Sequence, residues 1–311
     1  MIPTLNQGEF IEQTIKSITE QNYENREVII IDGGSTDDTI EIIKEYESEI
    51  SYWVSAADKG QAHAINKGLA KATGEIFNWI NSDDYLEPGA LQEIGTQFAN
   101  NPDTNIVCGY TRCFWNEDNR TSHEYRMGVK KTAAETIFNV EMNQPGSFYR
   151  TEIVREFGGV NESLRYVFDD ELWFRYLCKY GIGNIIFTDK RLAQFRLHES
   201  SKSVGEGFDF FNKEIRLLHL DILKTIQAPV WLLDILQVSM DERDYSTTAV
   251  WDTTYLESEK FMALFASKYI NTLFLQGKKK EAKVAMKMVT KNGLFRWNRM
   301  MTSLQLKLLL Q

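Results

Sequence analysis

Apolar and polar positions alternate along the first hundred residues with two different periods. Glu27-Val28-Ile29-Ile30-Ile31 is a β-branched run that reads as a buried strand and stops at the turn residues Asp32-Gly33-Gly34-Ser35. On either side the period is helical. Phe10, Ile11, Ile15 and Ile18 predict a helix running to about Gln21, and Ile40, Ile42, Ile43 and Tyr46 predict another behind a cap at Ser35 or Asp37. Tyr52-Trp53-Val54 then predicts a short strand, Ala62 to Ala72 a helix closed by Gly74, and Ile76 to Ile80 a buried strand ending in Asn81-Ser82-Asp83-Asp84. Strands alternating with helices imply parallel strands joined by crossover helices. Ligands of open α/β sheets bind beyond the carboxyl ends of the strands, and here those ends carry Asp, Asn, Ser and Gly. Met1 to Leu5 is short for a central strand, so the first strand is expected to be stunted or trimmed.

Beyond residue 100 the pattern weakens. Asn105 to Tyr110 and Thr111 to Trp115 predict two strands before a polar turn at Asn116 to Arg120. After Gly207 the spacing predicts helices over 208–225, 230–238, 256–276 and 279–290. We therefore divide the chain into an α/β domain over 1–204 and a helical extension over 205–311. The composition agrees: 311 residues, 43% apolar and 25% charged, exceed the roughly 250–300 residues at which one core stops growing. No stretch reaches the ~18 apolar residues of a membrane span and the start lacks a signal-peptide pattern, so a cytoplasmic protein is expected. The net charge of −9 speaks against nucleic acid as a partner. That charge is uneven: Gln276 to Gln311 carries +8 and the rest of the chain −17. Cys108, Cys113 and Cys178 have neither disulfide-framework nor zinc spacing and read as buried thiols.

The strongest local chemistry is Asn81-Ser82-Asp83-Asp84. Adjacent carboxylates at a strand end repel unless a cation such as Mg²⁺ or Mn²⁺ joins them, although a capped turn uses the same residue types. Asp32-Gly33-Gly34-Ser35-Thr36-Asp37 precedes it, as does Asp58-Lys59-Gly60-Gln61-Ala62-His63-Ala64-Ile65-Asn66-Lys67-Gly68. Gln144-Pro145-Gly146-Ser147, Phe168-Asp169-Asp170-Glu171-Leu172-Trp173 and Arg196-Leu197-His198 follow. In this order and spacing, over about residues 2–204, they resemble the inverting nucleotide-sugar glycosyltransferases of family 2, which have the GT-A fold, a mixed, mostly parallel sheet flanked by helices.

The resemblance implies a role for each matching position. Pro3, Thr4 and Asp32 would meet the nucleotide base, with Asp58 and the helix bearing Asn66 and Gly68 lining the same side of the cleft. Lys59 is either a phosphate contact or a solvated lysine. Asn81 stands where the family's DXD motif begins and would bond a ribose hydroxyl; Asp83, at its third position, would bind the Mg²⁺ or Mn²⁺ that bridges the diphosphate. The metal would stabilise departing UDP. Asp169, three positions before Leu172, would be the base that deprotonates the acceptor hydroxyl, with Asp170 and Glu171 as rival carboxylates and helix capping as the bland alternative. His198 would reach the metal or diphosphate, and Gln144 to Ser147 would face the acceptor sugar. Trp79 and Trp173 are either sugar-stacking or core residues.

Other readings have less support. No GxGxxG follows a strand, no GxxxxGK[ST] is present, and no Gly-rich loop with Arg opens the chain as in a sugar-nucleotide pyrophosphorylase. The QxxRW pattern of processive synthases is broken, with Gly293 before Arg296-Trp297. The expected activity is a single transfer from a nucleotide sugar, with UDP as the nucleotide, to a saccharide or lipid-linked acceptor; the alternative is a nucleotide-sugar-binding scaffold without turnover. Lys278, Lys279, Lys280, Lys283 and Lys287, followed by Leu304, Leu306 and Leu308 to Leu310, leave peripheral membrane contact, a homodimer contact and packing on the acidic domain open. The triplets starting at Asn119 and Asn161 are read as fortuitous glycosylation sequons.

Overall fold

In the computed structural model, which describes residues 1–139, 143–199, 201, 202, 207–235, 247 and 249–294, the β-branched run forms β2 (Ile29–Asp32), every residue of it buried. It pairs in parallel with β1 (Ile2–Thr4) and β3 (Tyr52–Ser55) in the order β1-β2-β3. The register sets Thr4 opposite Asp32 and Asp32 opposite Ser55, so three polar side chains end the strands at one level. Helices α1 (Ile11–Thr19) and α2 (Thr39–Glu45) make the crossovers, and α3 (Gln61–Lys71) follows β3. Ile11, Thr14, Ile15 and Ile18 form the buried stripe of α1 that the helical spacing predicts.

A second, mixed sheet contains β4 (Ile76–Phe77), β5 (Tyr85–Leu86), β6 (Ile106–Trp115), β7 (Thr121–Tyr125), β8 (Ser147–Arg150) and β9 (Ile185–Leu197). Its order is β4-β8-β6-β9-β5, with β7 on β6; β6 and β9 run parallel and the other pairs antiparallel. Helices α4 (Ala90–Asn100), α5 (Ala133–Phe138), α6 (Thr151–Glu156) and α7 (Phe168–Tyr180) lie between these strands along the chain. Two expectations change. The segments 105–110 and 111–115 are one strand, β6, whose pairing with β9 shifts register between Cys108 and Tyr110 and again between Tyr110 and Thr111. The strand expected over 76–80 stops at Phe77: the Met1 ammonium donates to the Asn78 carbonyl at 2.9 Å and Ile80 N–H donates to the Met1 carbonyl at 3.0 Å.

By packing, the chain divides into two units. Unit 1 comprises Met1–Gly128, Glu141–Trp173 and Gly183–Asn212, with a core in which Ile15 of α1, Ile30, Ile80, Val107, Phe148 and Leu192 are buried together. Unit 2 comprises Val129–Val140, Phe174–Ile182 and Lys213–Gln311, so it takes in two stretches that lie before the boundary drawn at 204/205. The C-terminal helices are α8 (Gly207–Thr225), α9 (Val230–Ile235), α10 (Ser258–Leu275) and α11 (Lys279–Lys291). In α11 the apolar side is already covered, with Ala282, Ala285, Met286 and Val289 buried and Lys279, Lys280, Lys283 and Lys287 exposed. The expected Leu304 to Leu310 stretch lies outside the described residues. Among the described residues no helix is long and apolar enough to cross a membrane. All three cysteines are buried free thiols; burial pushes Cys108 and Cys113 up to about 12.

Unit 2 has His219 at its centre, packed by Phe138 (ring centroids 4.4 Å), Phe174 (5.8 Å), Phe261 (6.0 Å) and Phe265 (6.5 Å), with Nδ1 3.3 Å from the Tyr269 hydroxyl. Burial, then the charges of Lys268 and Arg216, hold its pKa well below the ordinary histidine value.

Two stability predictions follow from the two cores. Ile15→Ala should cost about 2–5 kcal/mol, read as a lower urea midpoint; an unchanged midpoint would mean α1 is not packed on the sheet. For His219, unfolding exposes an imidazole that takes up a proton below about pH 6.5. Native stability should therefore fall as pH drops through that value, by at most about 1.4 kcal/mol per pH unit. His219→Gln should flatten this acid limb in thermal melts between pH 7 and 5, and a limb as steep as in the parent would assign the loss to other groups.

Candidate active site

The polar strand ends of unit 1 open onto a cavity of about 910 Å³. Of the residues singled out from the sequence, Pro3, Thr4, Asp58, Lys59, Asn81, Asp83, Gln144, Pro145, Asp169, Asp170 and His198 all line it. Loops from both sheets and the first turn of α7 thus converge on a single space.

At one side, Asp83 Oδ2 and His198 Nε2 stand 3.0 Å apart. Several bonds fix each partner. His198 follows β9, its N–H donating to Ser201 Oγ (3.1 Å) and its ring lying 4.9 Å from that of Phe10. The Asp83 turn is held by α1, where Thr14 Oγ1 donates to the carbonyls of Ser82 (2.9 Å) and Asp84 (2.6 Å). It is held again by Arg196, whose Nε donates to the Asp83 carbonyl (2.8 Å) while the guanidinium lies over the rings of Phe10 (4.9 Å) and Phe114 (5.0 Å). Asp84 points away from the cavity: it is buried, accepting from Arg196 N (2.9 Å) and Asn81 Nδ2 (3.2 Å). Burial, then the neighbouring Asp83 charge, raises its carboxyl well above the usual range.

Among the described residues no three His, Cys, Asp or Glu side chains gather into a metal site. Asp83 and His198 offer one carboxylate and one imidazole. That pair suits Mg²⁺ or Mn²⁺ when diphosphate oxygens complete the shell, because these ions favour oxygen ligands and Mg²⁺ is commonly held by one or two protein groups plus phosphate.

Two residues expected at the nucleotide are not brought to the cavity. Asp32 is fully buried: Oδ2 accepts from Gly34 N (3.0 Å), Ser35 N (2.9 Å) and Ser55 Oγ (2.5 Å), and Oδ1 from Ser35 Oγ. Its lone pairs are spent on the turn that ends β2, the capping alternative. Asn66, on α3, bonds instead to Val160 and Glu162. Asp58 does reach the cavity. Its Oδ1 accepts from Gly60 N (2.7 Å), and its Oδ2 lies 3.1 Å from where a side chain on Gly33 would begin, so the glycine leaves room for it.

Of the three carboxylates opening α7, Asp169 and Asp170 line the cavity, whereas Glu171 is buried and accepts from Asn161 Nδ2 at 3.4 Å. Trp79 and Trp173 are 1% and 0% exposed and packed in the core; Trp79, stacked on Tyr149 at 6.3 Å, also forms part of the cavity wall. Sequence reasoning missed Gln61, which donates to Asn81 Oδ1 (2.7 Å) and accepts from Lys202 Nζ (2.7 Å). It also missed the rim formed by Arg165, Tyr166 and Phe211, where Tyr166 stacks on Phe210 (5.5 Å, 8°) and meets Phe211 at 5.2 Å. The only sequence signal for the rim was its place just before Phe168-Asp169; Phe210 and Phe211 read as helix positions.

An uncharacterized glycosyltransferase of Rickettsia typhi is 26% identical over 211 residues, 64% of this chain and 64% of that one. Chondroitin synthase of Escherichia coli is 29% identical over 65% of this chain and 29% of its own length. The chain spans a little under two thirds of the Rickettsia typhi and Rickettsia prowazekii relatives, 64% and 63%. Among solved structures, S. aureus TarS in complex with UDP-GlcNAc shares the fold with a TM-score of 0.56 and 16% identity, over 86% of this chain and 79% of that one. Mannosyltransferase PcManGT from Pyrobaculum calidifontis, in complex with GDP-Man and Mn²⁺, does so with a TM-score of 0.51 and 17% identity, over 98% and 77%. The family model for glycosyl transferase family 2 matches residues 1–158, and the chain belongs to that family.

Proposed function

We propose that this protein is an inverting glycosyltransferase that moves a sugar from a nucleotide-diphosphate donor, with UDP as the nucleotide, to a hydroxyl of a saccharide or lipid-linked acceptor. The observation that carries this reading is one cavity holding the Asp83–His198 pair and the Asp169–Asp170 carboxylates together. A donor-binding site and a base are the two parts an inverting displacement needs. Family membership supports it, as do the ligands bound in two structures with this fold, UDP-GlcNAc in one and GDP-Man with Mn²⁺ in the other.

In this reading the base of the nucleotide lies against Pro3 and Thr4, with Asp58 accepting its imide N–H in place of the saturated Asp32. Asn81 takes a ribose hydroxyl, and Asp83 and His198 would hold Mg²⁺ or Mn²⁺ together with the donor. The bound cation would offset the charge that develops on the departing UDP. Asp169 withdraws the acceptor proton from the opposite face, and Asp170 N–H donates to Asp169 Oδ1 at 3.0 Å, which fixes that oxygen. The acceptor sits against Gln144, Pro145 and the aromatic rim of Tyr166 and Phe211. We place the reaction in the cytoplasm, with the exposed lysines of α11 available to an anionic membrane carrying a lipid-linked acceptor.

The test is release of UDP, GDP or dTDP from candidate nucleotide sugars with Mn²⁺, and after chelation. Asp169→Asn should lower kcat by about 10²–10⁴ while Mn²⁺–UDP affinity holds; full activity would remove Asp169 from the mechanism. Asp58→Asn should weaken UDP by roughly 10- to 100-fold, since a hydrogen bond to a charged group is worth about 1.5–3 kcal/mol. Asp32→Asn should instead lower stability. UDP binding without turnover of any donor would favour the non-catalytic scaffold.

A further inference from the structure

The carboxamide of Asn66 points from the middle of α3 into the segment that leads to Asp169. Its Oδ1 accepts from Val160 N (2.9 Å), and its Nδ2 donates to the Val160 carbonyl (2.9 Å) and to Glu162 Oε1 (2.9 Å). It therefore grips both polar groups of one residue, as a neighbouring strand would. The adjoining residue is Gly159, with φ of +86°, and a Cβ there would collide with Asn66 Oδ1. Only glycine accommodates both the left-handed backbone and that approach. One turn later, α3 is tied again: Arg155 donates to the carbonyls of Leu69 and Ala72 at its C-terminal end.

The grip continues toward the cavity. Asn161 Oδ1 accepts from Ser163 N (3.0 Å) and Ser163 Oγ (2.7 Å), which shapes the loop whose Glu162, Ser163, Arg165 and Tyr166 line the cavity. Asn161 Nδ2 donates to Glu171 Oε1 in the first turn of α7, beside Asp169 and Asp170. Asn161 itself is buried, so the triplet that begins there serves packing. At the other end of α3, Gln61 bonds Asn81 of the metal turn. One helix thus touches the donor side of the cavity at its start and, through two asparagines, the base side from its middle.

We propose that Asn66 and Asn161 are positioning residues that act in series: α3 sets the separation between the Asp83 turn and the Asp169 carboxylate through Asn66, Val160, Asn161 and Glu171. This rests on the proposed reaction, in which that separation places the acceptor oxygen opposite the leaving group. Displacement by about 1 Å can cost about 10²-fold in rate, whereas donor binding at Pro3, Asp58 and Asp83 does not pass through these residues.

The experiment uses the full chain with Mn²⁺, UDP-glucose and UDP-N-acetylglucosamine, water as acceptor, and free UDP as the binding probe. Asn66→Ala and Asn161→Ala should each lower kcat roughly 10- to 100-fold, with Mn²⁺–UDP affinity within about twofold of the parent. Residues acting in one relay are not additive, so the double variant should be no slower than the slower single one. Asn66→Asp, which keeps the acceptor for Val160 N but loses the donor to the Val160 carbonyl and Glu162, should also lower kcat at unchanged UDP affinity, and it preserves the test if an Ala variant fails to fold. Parent-level kcat in Asn66→Ala, multiplied losses in the double variant, or weakened UDP binding that accounts for the slowing would overturn the relay alone. A parent that binds UDP yet turns over neither donor would overturn the reaction and the relay's role in it.

Discussion

A buried carboxylate holds the site together. Asp84 accepts from the backbone N–H of Arg196 and from the Asn81 side chain, while the guanidinium of Arg196 reaches back to the carbonyl of Asp83. Two chain segments more than a hundred residues apart are thereby closed into a reciprocal clamp. Burying a carboxyl is costly unless it is hydrogen-bonded; here the two bonds are also the ones that set the Asp83 turn against the end of β9. Because His198 lies two residues beyond Arg196, the same clamp brings His198 Nε2 to within 3.0 Å of Asp83. Loss of the clamp would separate the two donors that a cation needs without touching either.

The rest of the cavity uses the same economy of polar groups. Asp32 spends its oxygens on Gly34, Ser35 and Ser55, which rigidifies the edge against which Pro3 and Thr4 stand. Asp58 occupies the room left by Gly33 and faces the cavity instead. Carboxylates that look equivalent in sequence thus divide into those that build the scaffold, Asp32, Asp84 and Glu171, and those that line the space, Asp58, Asp83, Asp169 and Asp170. Burial and the number of N–H and O–H donors around each one decide which group it joins.

How far this was legible in the sequence depends on the range of the interaction. Hydrophobic period places α1, α2, α3 and β2 to within a few residues, because each is decided by its own side chains. It fails at Ile76 to Ile80, where pairing with Met1 rather than local propensity ends the strand, and it splits β6, which pairs with β9 from Ile106 to Trp115. The site reads similarly. Asp83, His198 and Asp169, singled out through the family resemblance, line the cavity; Asn66 turns instead to Val160, distant in sequence, and Asp32 to the turn that ends β2, the capping alternative that the sequence left open. The aromatic rim is invisible for the same reason: Tyr166 and Phe210 meet only once α8 is folded.

The central claim is that Asp83 and His198 share a cation brought with the nucleotide. Paramagnetic broadening measures it most directly, since Mn²⁺ broadens proton resonances of its ligands and the chain has only four histidines, His63, His123, His198 and His219. The account predicts that adding Mn²⁺ and UDP together broadens the His198 ring protons, whereas Mg²⁺ and UDP leave them sharp. A His198 ring that stays sharp in the ternary mixture, while UDP is bound, would contradict it.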